Sequence, residues 1–177
     1  DTSKTVDRYS LEYQVNLVDL FMQEMGIGKI ALIGHGLGAV VAMLYAYRFK
    51  RLVDRVMAVG LPDGQRSINT RLYSSSPTEL ADWLLSRTAD SDAARLEAPN
   101  PAQRALQYCL ANLDNIDIST LAQNLDTPCL MVYGQNDLLL EGTRSQDRLT
   151  ALPESIHLIT FEQSGHFPML DEPTKFN

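Results

Sequence analysis

Three segments of the chain carry residue types that could do chemistry. Residues 34–38 (Gly-His-Gly-Leu-Gly) form a glycine-rich turn, Asp137 follows one apolar run, and His166 follows another. A histidine whose tautomer is fixed by a carboxylate accepts protons near neutral pH. The segment between Asp137 and His166 has room for one helix and one strand.

Each of these polar residues also has a purely structural interpretation. A loop aspartate such as Asp137 can cap the helix that follows it, and a Gly-His pair after a strand can be a surface turn. Asp63, which follows a different apolar run, is the reserve candidate for the acid. His157 lies in the middle of an apolar run and is interpreted as structural.

The elements around the glycine-rich turn are typical of a parallel α/β sheet. Apolar residues at helical spacing predict an amphipathic helix over residues 10–25, with Ser10 as its cap. Short apolar runs predict buried strands at 29–33 and 53–59, and a stretch with small residues predicts a helix at 39–49 between them. A strand, helix and strand in this order predict a right-handed parallel crossover.

The middle of the chain has a different character. Residues 63–118 are polar, with helical stretches near 77–87 and 101–113, and they are predicted to form a small helical cap inserted between sheet strands. The predicted core is then made of residues 1–62 and 119–177.

The strand pattern returns after this insertion. Strands are predicted at 129–133 and 156–161, with a helix-compatible stretch at about 141–151 between them. The whole pattern predicts an α/β protein with a mostly parallel sheet flanked by helices. In such sheets functional residues gather at the carboxyl ends of the strands, where the glycine-rich turn, Asp137 and His166 all fall.

Three motifs together resemble the α/β-hydrolase superfamily. Residues 33–39 (Ile-Gly-His-Gly-Leu-Gly-Ala) are similar to its nucleophile elbow, and residues 128–137 to its strand and acid loop. Residues 164–168 (Ser-Gly-His-Phe-Pro), with Asp-Glu-Pro at 171–173, are similar to its histidine loop. The order of elbow, acid and histidine also matches, and the resemblance covers nearly the whole chain. It implies a partial α/β-hydrolase fold.

The resemblance implies a site whose nucleophile is missing. Asp137 and His166 correspond to the family's acid and histidine, and the amide of Leu37 to one oxyanion-hole donor. The central elbow position, which carries the nucleophile in the family, is Gly36. Glycine has no atom that can attack, so the covalent acyl-enzyme route is closed. His35 is common at its position in the family, where it packs and forms hydrogen bonds beside the nucleophile.

Three functions remain open at this point. The first is a hydrolase relative that binds a small, largely apolar molecule, and whose His–Asp dyad could activate water or deprotonate a ligand. The second is an ester or carbon–carbon bond hydrolase whose nucleophile was mutated. The third is a non-catalytic module that binds a partner. The sequence predicts neither the ligand nor the oligomeric state.

Composition argues against several other classes of protein. The net charge of −7 is spread along the chain, which predicts neither a nucleic-acid surface nor a polybasic membrane anchor. No apolar run approaches the ~20 residues that span a bilayer. Cys109 and Cys129 have no metal-ligand spacing, so no metal or other cofactor is predicted, and so few cysteines favour a reducing, cytoplasmic location.

The ends of the chain carry a further expectation. The first residue is not Met, and residues 173–177 resemble the first turn of a helix, so sequence is expected to be missing at both ends. No His-Gly segment precedes the elbow, so the strands and second oxyanion donor found there in the family are expected to be missing as well. A four-strand remainder would expose an apolar edge and lower stability.

Overall fold

Four strands form one parallel sheet in this computed structural model, which describes residues 9–86, 88–98, 103–140 and 152–177. Their order across the sheet is the order of the sequence, and every pairing is parallel. The strands are β1 (Ile30–His35), β2 (Val53–Val59), β3 (Cys129–Gly134) and β4 (Ile156–Phe161). The predicted α/β class and parallel sheet are confirmed.

The first helix, α1 (Leu11–Glu24), begins and packs as its sequence pattern predicts. The Ser10 side chain accepts a hydrogen bond from the amide of Tyr13 at 3.1 Å, which satisfies one of the free donors of the first turn. Leu11, Val15 and Met22 are buried in the main core. Met25, which was included in the predicted helix, lies beyond its end and is 62% exposed.

The second helix, α2 (Leu37–Arg48), connects β1 to β2 and lies directly on both strands. Its alanines at 39, 42 and 46 are buried, and such small side chains allow the helix axis to approach the sheet closely. The main core lies between this face of the sheet and the helices that cover it. The helix begins two residues earlier than predicted, immediately after Gly36, so the glycine-rich turn opens directly into its first turn.

Short helices follow β2. They are α3 (Arg71–Ser74), α4 (Pro77–Leu84), α5 (Ala89–Glu97), α6 (Gln103–Ala111) and α7 (Ile118–Gln123), with 3₁₀ turns at Gln65–Ser67 and Leu113–Asn115. Helices were predicted near α4 and α6, but α5 was not, because its sequence has no apolar stripe. The Arg95 guanidinium holds α5 to the end of α4 by donating to the carbonyl oxygen of Leu85 at 2.6 Å and to Asp82 at 2.9 Å.

Two short helices, α8 (Pro168–Asp171) and α9 (Pro173–Phe176), follow β4. They cover part of the second face of the sheet, where Met169 and Phe176 pack against Phe161 and neighbouring strand residues. The helix predicted at 141–151 lies outside the described residues. None of the helices that the structure describes is long and apolar enough to cross a membrane.

The prediction that residues 29–33 form a buried strand is wrong in one respect. These residues do lie in or next to β1, but β1 is at the edge of the sheet, and Ile33 is 69% exposed. At the opposite edge, Leu158 and Ile159 of β4 are also exposed. An apolar run predicts a strand, but it does not show whether both faces are covered.

Candidate active site

The carboxyl ends of β3 and β4 bring Asp137 and His166 together. Nδ1 of His166 lies 2.8 Å from Oδ2 of Asp137, and the two side chains are only 5% and 6% exposed. At this distance the imidazole donates its Nδ1 proton to the carboxylate, which leaves Nε2 as the atom able to accept a proton. The pair has the geometry of a general base held in one tautomer.

The backbone of its own loop holds the Asp137 carboxylate in place. Its Oδ1 accepts hydrogen bonds from the amides of Leu139 at 2.8 Å and Leu140 at 3.2 Å, which leaves Oδ2 for His166. Asp137 therefore stabilises the loop and orients the histidine at the same time. The structure pairs His166 with Asp137 rather than with Asp63, whose amide donates to Ser67 Oγ at 3.0 Å.

Two carboxylates at the junction of α8 and α9 fix the loop that carries His166. Asp171 accepts a hydrogen bond from the amide of Gly165 at 2.8 Å, and Glu172 accepts one from the hydroxyl of Ser164 at 2.6 Å. Both carboxylates belong to the Asp-Glu-Pro segment at 171–173, for which the sequence alone predicts no role. The structure indicates that they position the loop.

His35 contacts the same loop from β1. Its Nε2 donates a hydrogen bond to the carbonyl oxygen of His166 at 2.7 Å, and the two rings lie 4.5 Å apart. Burial, and secondarily the charge of His166, lower the pKa of His35 from its usual 6.5 to about 4. His35 is therefore neutral near pH 7, with its proton on Nε2, and it helps to position His166.

Gly36 lies between β1 and α2 in a conformation that side chains rarely adopt. Its φ and ψ are 56° and −121°, and a left-handed φ with this ψ costs energy for any residue with a Cβ. An ideal Cβ built on Gly36 would lie 3.7 Å from Nε2 of His166 and would meet no other non-neighbouring atom within 4 Å. The space for a side chain is open, and it faces the dyad.

The size of this space matches one small nucleophilic side chain. A hydroxyl oxygen lies about 1.4 Å beyond its Cβ, and an O–H···N hydrogen bond from it to Nε2 would measure about 2.8 Å. A Cβ-to-Nε2 distance of 3.7 Å fits that bond at an ordinary angle. A hydroxyl placed on position 36 would therefore lie within hydrogen-bonding distance of Nε2 of His166, whose Nδ1 is held by Asp137.

The first turn of α2 presents backbone donors to the same space. The helix begins at Leu37 without a side-chain cap, and the amide of Ala39 bonds to the carbonyl oxygen of Gly36 at 3.1 Å. Among the described backbone hydrogen bonds, none uses the amides of Leu37 or Gly38 as donors. These N–H groups carry the positive end of the helix dipole, as a site for negative charge requires. The oxyanion role of Leu37 stays a prediction.

Gly60, immediately after β2, lies against the ring of His166, and the sequence alone predicts no role for it. Its φ is 56°, and a Cβ built on it would lie 3.1 Å from Cε1 of His166. The bare backbone of Gly60 therefore allows the imidazole to lie where it does. Its place at the carboxyl end of a strand in the predicted sheet is the sequence feature that could have identified it.

Two neighbouring cavities lie at and beside the dyad. The smaller, of about 220 Å³, is lined by His35, Gly36, Leu37 and His166 and by apolar side chains opposite them. The larger, of about 420 Å³, is lined almost entirely by apolar side chains of the helices that follow β2. Leu72 and Leu106 line both cavities, so the larger one lies next to the smaller one on the side of these helices.

The remaining candidate residues lie away from this site. His157 is exposed on β4, and the two cysteines are free thiols. Burial raises the pKa of Cys129 to about 12, and the Cys109 thiol donates to the carbonyl oxygen of Tyr9 at 2.8 Å. Within the described ranges, no cluster of three or more histidine, cysteine or acidic side chains could hold a metal ion.

Comparison with known sequences places this arrangement among related proteins. Residues 3–177 match the "Alpha/beta hydrolase family". An uncharacterized protein of Mycobacterium tuberculosis is 27% identical over 203 residues, which cover 95% of this chain and 59% of that protein. A putative carbamate hydrolase of Pseudomonas savastanoi is 24% identical, with 95% of this chain and 72% of that protein covered. The chain thus spans about three fifths of the length of the first of these relatives.

Solved structures show the same fold. A hydrolase from Pseudomonas aeruginosa matches 98% of this chain and 71% of its own with a TM-score of 0.81 at 14% identity. A thermophilic esterase from Thermogutta terrifontis matches 94% of this chain and 69% of its own with a TM-score of 0.74 at 16% identity. At these identities the likeness concerns the fold alone.

Proposed function

This chain belongs to the alpha/beta hydrolase family, and we propose that it is a member that binds a small, largely apolar molecule without forming a covalent acyl-enzyme. The observation that carries the proposal is the open space at Gly36, which faces Nε2 of His166 across 3.7 Å. Covalent hydrolysis by this family needs an oxygen or sulfur at that place, and glycine supplies neither.

The lining of the two cavities supports a ligand that is largely apolar. Polar groups line the smaller cavity around Gly36 and His166, and apolar side chains from several helices line most of the larger cavity beside it. Small-molecule sites typically combine a largely apolar lining with a few converging polar groups. A ligand with one polar group and an apolar body fits this distribution.

The Asp137–His166 pair retains one chemical capability. A water molecule in the space at Gly36 could give a proton to Nε2 of His166 while its oxygen adds to an ester carbonyl carbon of the ligand and the π electrons move to the carbonyl oxygen. Re-formation of the C=O bond would expel the alkoxide, which would take the proton from Nε2. Asp137 would stabilise the imidazolium that forms. This route needs no nucleophile from the protein, and it is part of the proposal.

A second candidate is an ester or carbon–carbon bond hydrolase whose nucleophile has been replaced. Three features support this candidate: the open space at Gly36, the His166–Asp137 pair beside it, and the N-terminus of α2. All three would serve a nucleophilic side chain at position 36. Both candidates have this same geometry. They differ in whether a hydroxyl at position 36 would restore hydrolysis.

Pre-steady-state hydrolysis of 4-nitrophenyl butyrate tests the proposal. The unchanged protein should release 4-nitrophenol without a burst, because no acyl-enzyme can accumulate. A burst close to one equivalent per chain from the unchanged protein would refute it. Gly36→Ser, with Gly36→Ala as the control that adds only a Cβ, separates the candidates. A burst in Gly36→Ser alone, followed by turnover, favours a mutated hydrolase, whereas ligand binding without turnover favours a binding protein.

A further inference from the structure

The segment at residues 138–140, immediately after Asp137, holds one oxygen of the carboxylate in place. Oδ1 of Asp137 accepts hydrogen bonds from the amides of Leu139 at 2.8 Å and Leu140 at 3.2 Å. Because the two oxygens of a carboxylate belong to one rigid group, a displacement of Oδ1 also displaces Oδ2, which lies 2.8 Å from Nδ1 of His166. The position of this segment therefore affects how the carboxylate faces the imidazole.

Before Asp137, the chain is fixed by the histidine loop and the end of β4. The amide of Asn136 donates to the carbonyl oxygen of Ser164 at 2.9 Å, and its side-chain amide donates to the carbonyl oxygen of Glu162 at 3.1 Å. These bonds hold the end of β3 against the loop that carries His166. They do not reach the residues after Asp137, which need a support of their own.

Asn69, in the segment that follows β2, supplies this support. Its amide donates to the carbonyl oxygen of Leu139 at 2.7 Å, and Ile68 and Leu140 form an isolated antiparallel bridge beside it. In the part of the chain that the structure describes, this is the one backbone hydrogen bond between residues 138–140 and another segment. Ile68, Leu139 and Leu140 are each at most 9% exposed, so the bond is shielded from water.

The other polar groups of Asn69 anchor the start of α3. Its Oδ1 accepts a hydrogen bond from the amide of Arg71 at 2.9 Å, and its carbonyl oxygen accepts one from the amide of Leu72 at 3.0 Å. Leu72 lines both cavities. Asn69 therefore connects the wall of the cavities to the segment that holds Asp137.

From these contacts we infer that Asn69 is a positioning residue for Asp137, and that its backbone amide, acting through Leu139, sets how the carboxylate meets His166. The inference deepens the proposed function and rests on it, because it names the residue that holds the acid of the same dyad. The two roles of Asn69 can be separated, since its amide serves Asp137 and its side chain serves α3.

Proline and alanine at position 69 separate these roles. Asn69→Pro removes both the N–H and the side-chain acceptor, whereas Asn69→Ala removes only the side-chain acceptor. Thr70→Pro controls for the proline ring, because the φ of Thr70 is −61° and none of the described backbone hydrogen bonds uses its amide as donor. An asparagine analogue with an ester oxygen in place of the N–H, introduced at position 69, removes the donor without adding a ring.

Proton NMR of the His166 imidazole is the decisive measurement. The Nδ1 proton lies between the ring nitrogen and the Asp137 carboxylate, so its far-downfield resonance reports that hydrogen bond directly. The resonance should move upfield or broaden in Asn69→Pro and in the ester analogue. It should keep its position in Asn69→Ala and Thr70→Pro, because both keep the amide that donates to Leu139.

Hydrogen exchange reports the 138–140 segment itself. The amides of Leu139 and Leu140 should exchange at least about fivefold faster in Asn69→Pro and in the ester analogue, as expected for the loss of one buried hydrogen bond. The melting temperature should also fall in Asn69→Ala, because the start of α3 loses an acceptor. Thermal stability alone therefore does not identify the positioning role, whereas the His166 resonance does.

Two results would overturn the inference. The first is an unchanged Nδ1 resonance in a folded Asn69→Pro protein or in the ester analogue. The second is an equal shift in Asn69→Ala, which would assign the effect to the side chain and α3. Neither result bears on the proposed function, whose failure would appear in a different experiment, as an acyl burst from the unchanged protein.

Discussion

Substitution of Gly60 by alanine tests whether the close approach of backbone and imidazole positions the dyad. A Cβ at this position would lie 3.1 Å from Cε1 and 3.3 Å from Nδ1 of His166, and both distances are below the 3.4 Å at which ordinary contacts begin. The ring would have to move away, and its hydrogen bond to Asp137 would lengthen. Because φ is 56°, alanine would also be strained by about 1–2 kcal/mol.

Gly26→Ala is the matched control. Gly26 has nearly the same left-handed φ of 64°, but a Cβ there would meet nothing within 4 Å. In both variants the strained backbone should lower the free energy of unfolding by about 1–2 kcal/mol. This corresponds to a fall in melting temperature of roughly 2–8 °C in a protein of this size. Only Gly60→Ala should add a further loss of about 1 kcal/mol from crowding against His166.

Thermal unfolding and imidazole ¹⁵N NMR of His166 measure the two effects separately. The expected result is a larger fall in melting temperature for Gly60→Ala than for Gly26→Ala, together with a shift of the His166 resonances in Gly60→Ala alone. Equal melting temperatures with an unchanged His166 spectrum would show that the contact with Gly60 does not position the ring.

Two further predictions follow from the contacts of the dyad. The pKa of His35 is about 4 in the folded protein, compared with 6.5 for an ordinary histidine. Between pH 6.5 and 4 the unfolded chain therefore binds a proton at His35 that the folded protein does not bind. The free energy of unfolding should fall as pH falls through this window, by about 3 kcal/mol at most. His35→Gln keeps a side-chain donor but cannot titrate, so urea unfolding across pH should show a shallower decline than in the unchanged protein, and an identical decline would contradict this assignment. Asp137→Asn puts an amide nitrogen in place of the oxygen that faces Nδ1 of His166 or of the one that accepts from Leu139. One hydrogen bond is lost either way, so the free energy of unfolding should fall by about 1–3 kcal/mol. Asp54→Asn, at an exposed ion pair with Lys29, is the control and should change it by less than about 1 kcal/mol.

The sequence allowed most of the sheet and its order to be predicted, because apolar runs bounded by glycine or proline identify strands without any tertiary information. It also identified Gly36, Asp137 and His166 as residues at the carboxyl ends of strands. The structure places them together at the carboxyl ends of the strands. Their positions along the chain were sufficient to predict this, because the carboxyl ends of parallel strands lie on the same side of the sheet.

Other features depend on contacts that no local pattern records. Helix α5 has no apolar stripe and is held to α4 through Arg95, so periodicity could not identify it. The exposure of Ile33 depends on whether another element covers that face of the sheet. The role of Gly60 depends on where the ring of His166 lies, and His166 is more than a hundred positions further along the chain. These features depend on tertiary contacts, which cannot be recognised from a local sequence pattern.

Covalent labelling by a serine-directed fluorophosphonate tests the central claim most directly. Intact-mass and peptide analysis should show no phosphonyl adduct on the unchanged protein, because Gly36 has no attacking atom and His166 faces an open space instead. Gly36→Ser should gain one adduct, confined to the peptide that contains position 36, and the added substitution His166→Gln should abolish it. An adduct on residues 34–38 of the unchanged protein, or a folded Gly36→Ser protein that stays unlabelled, would contradict the claim that this site lacks only its nucleophile.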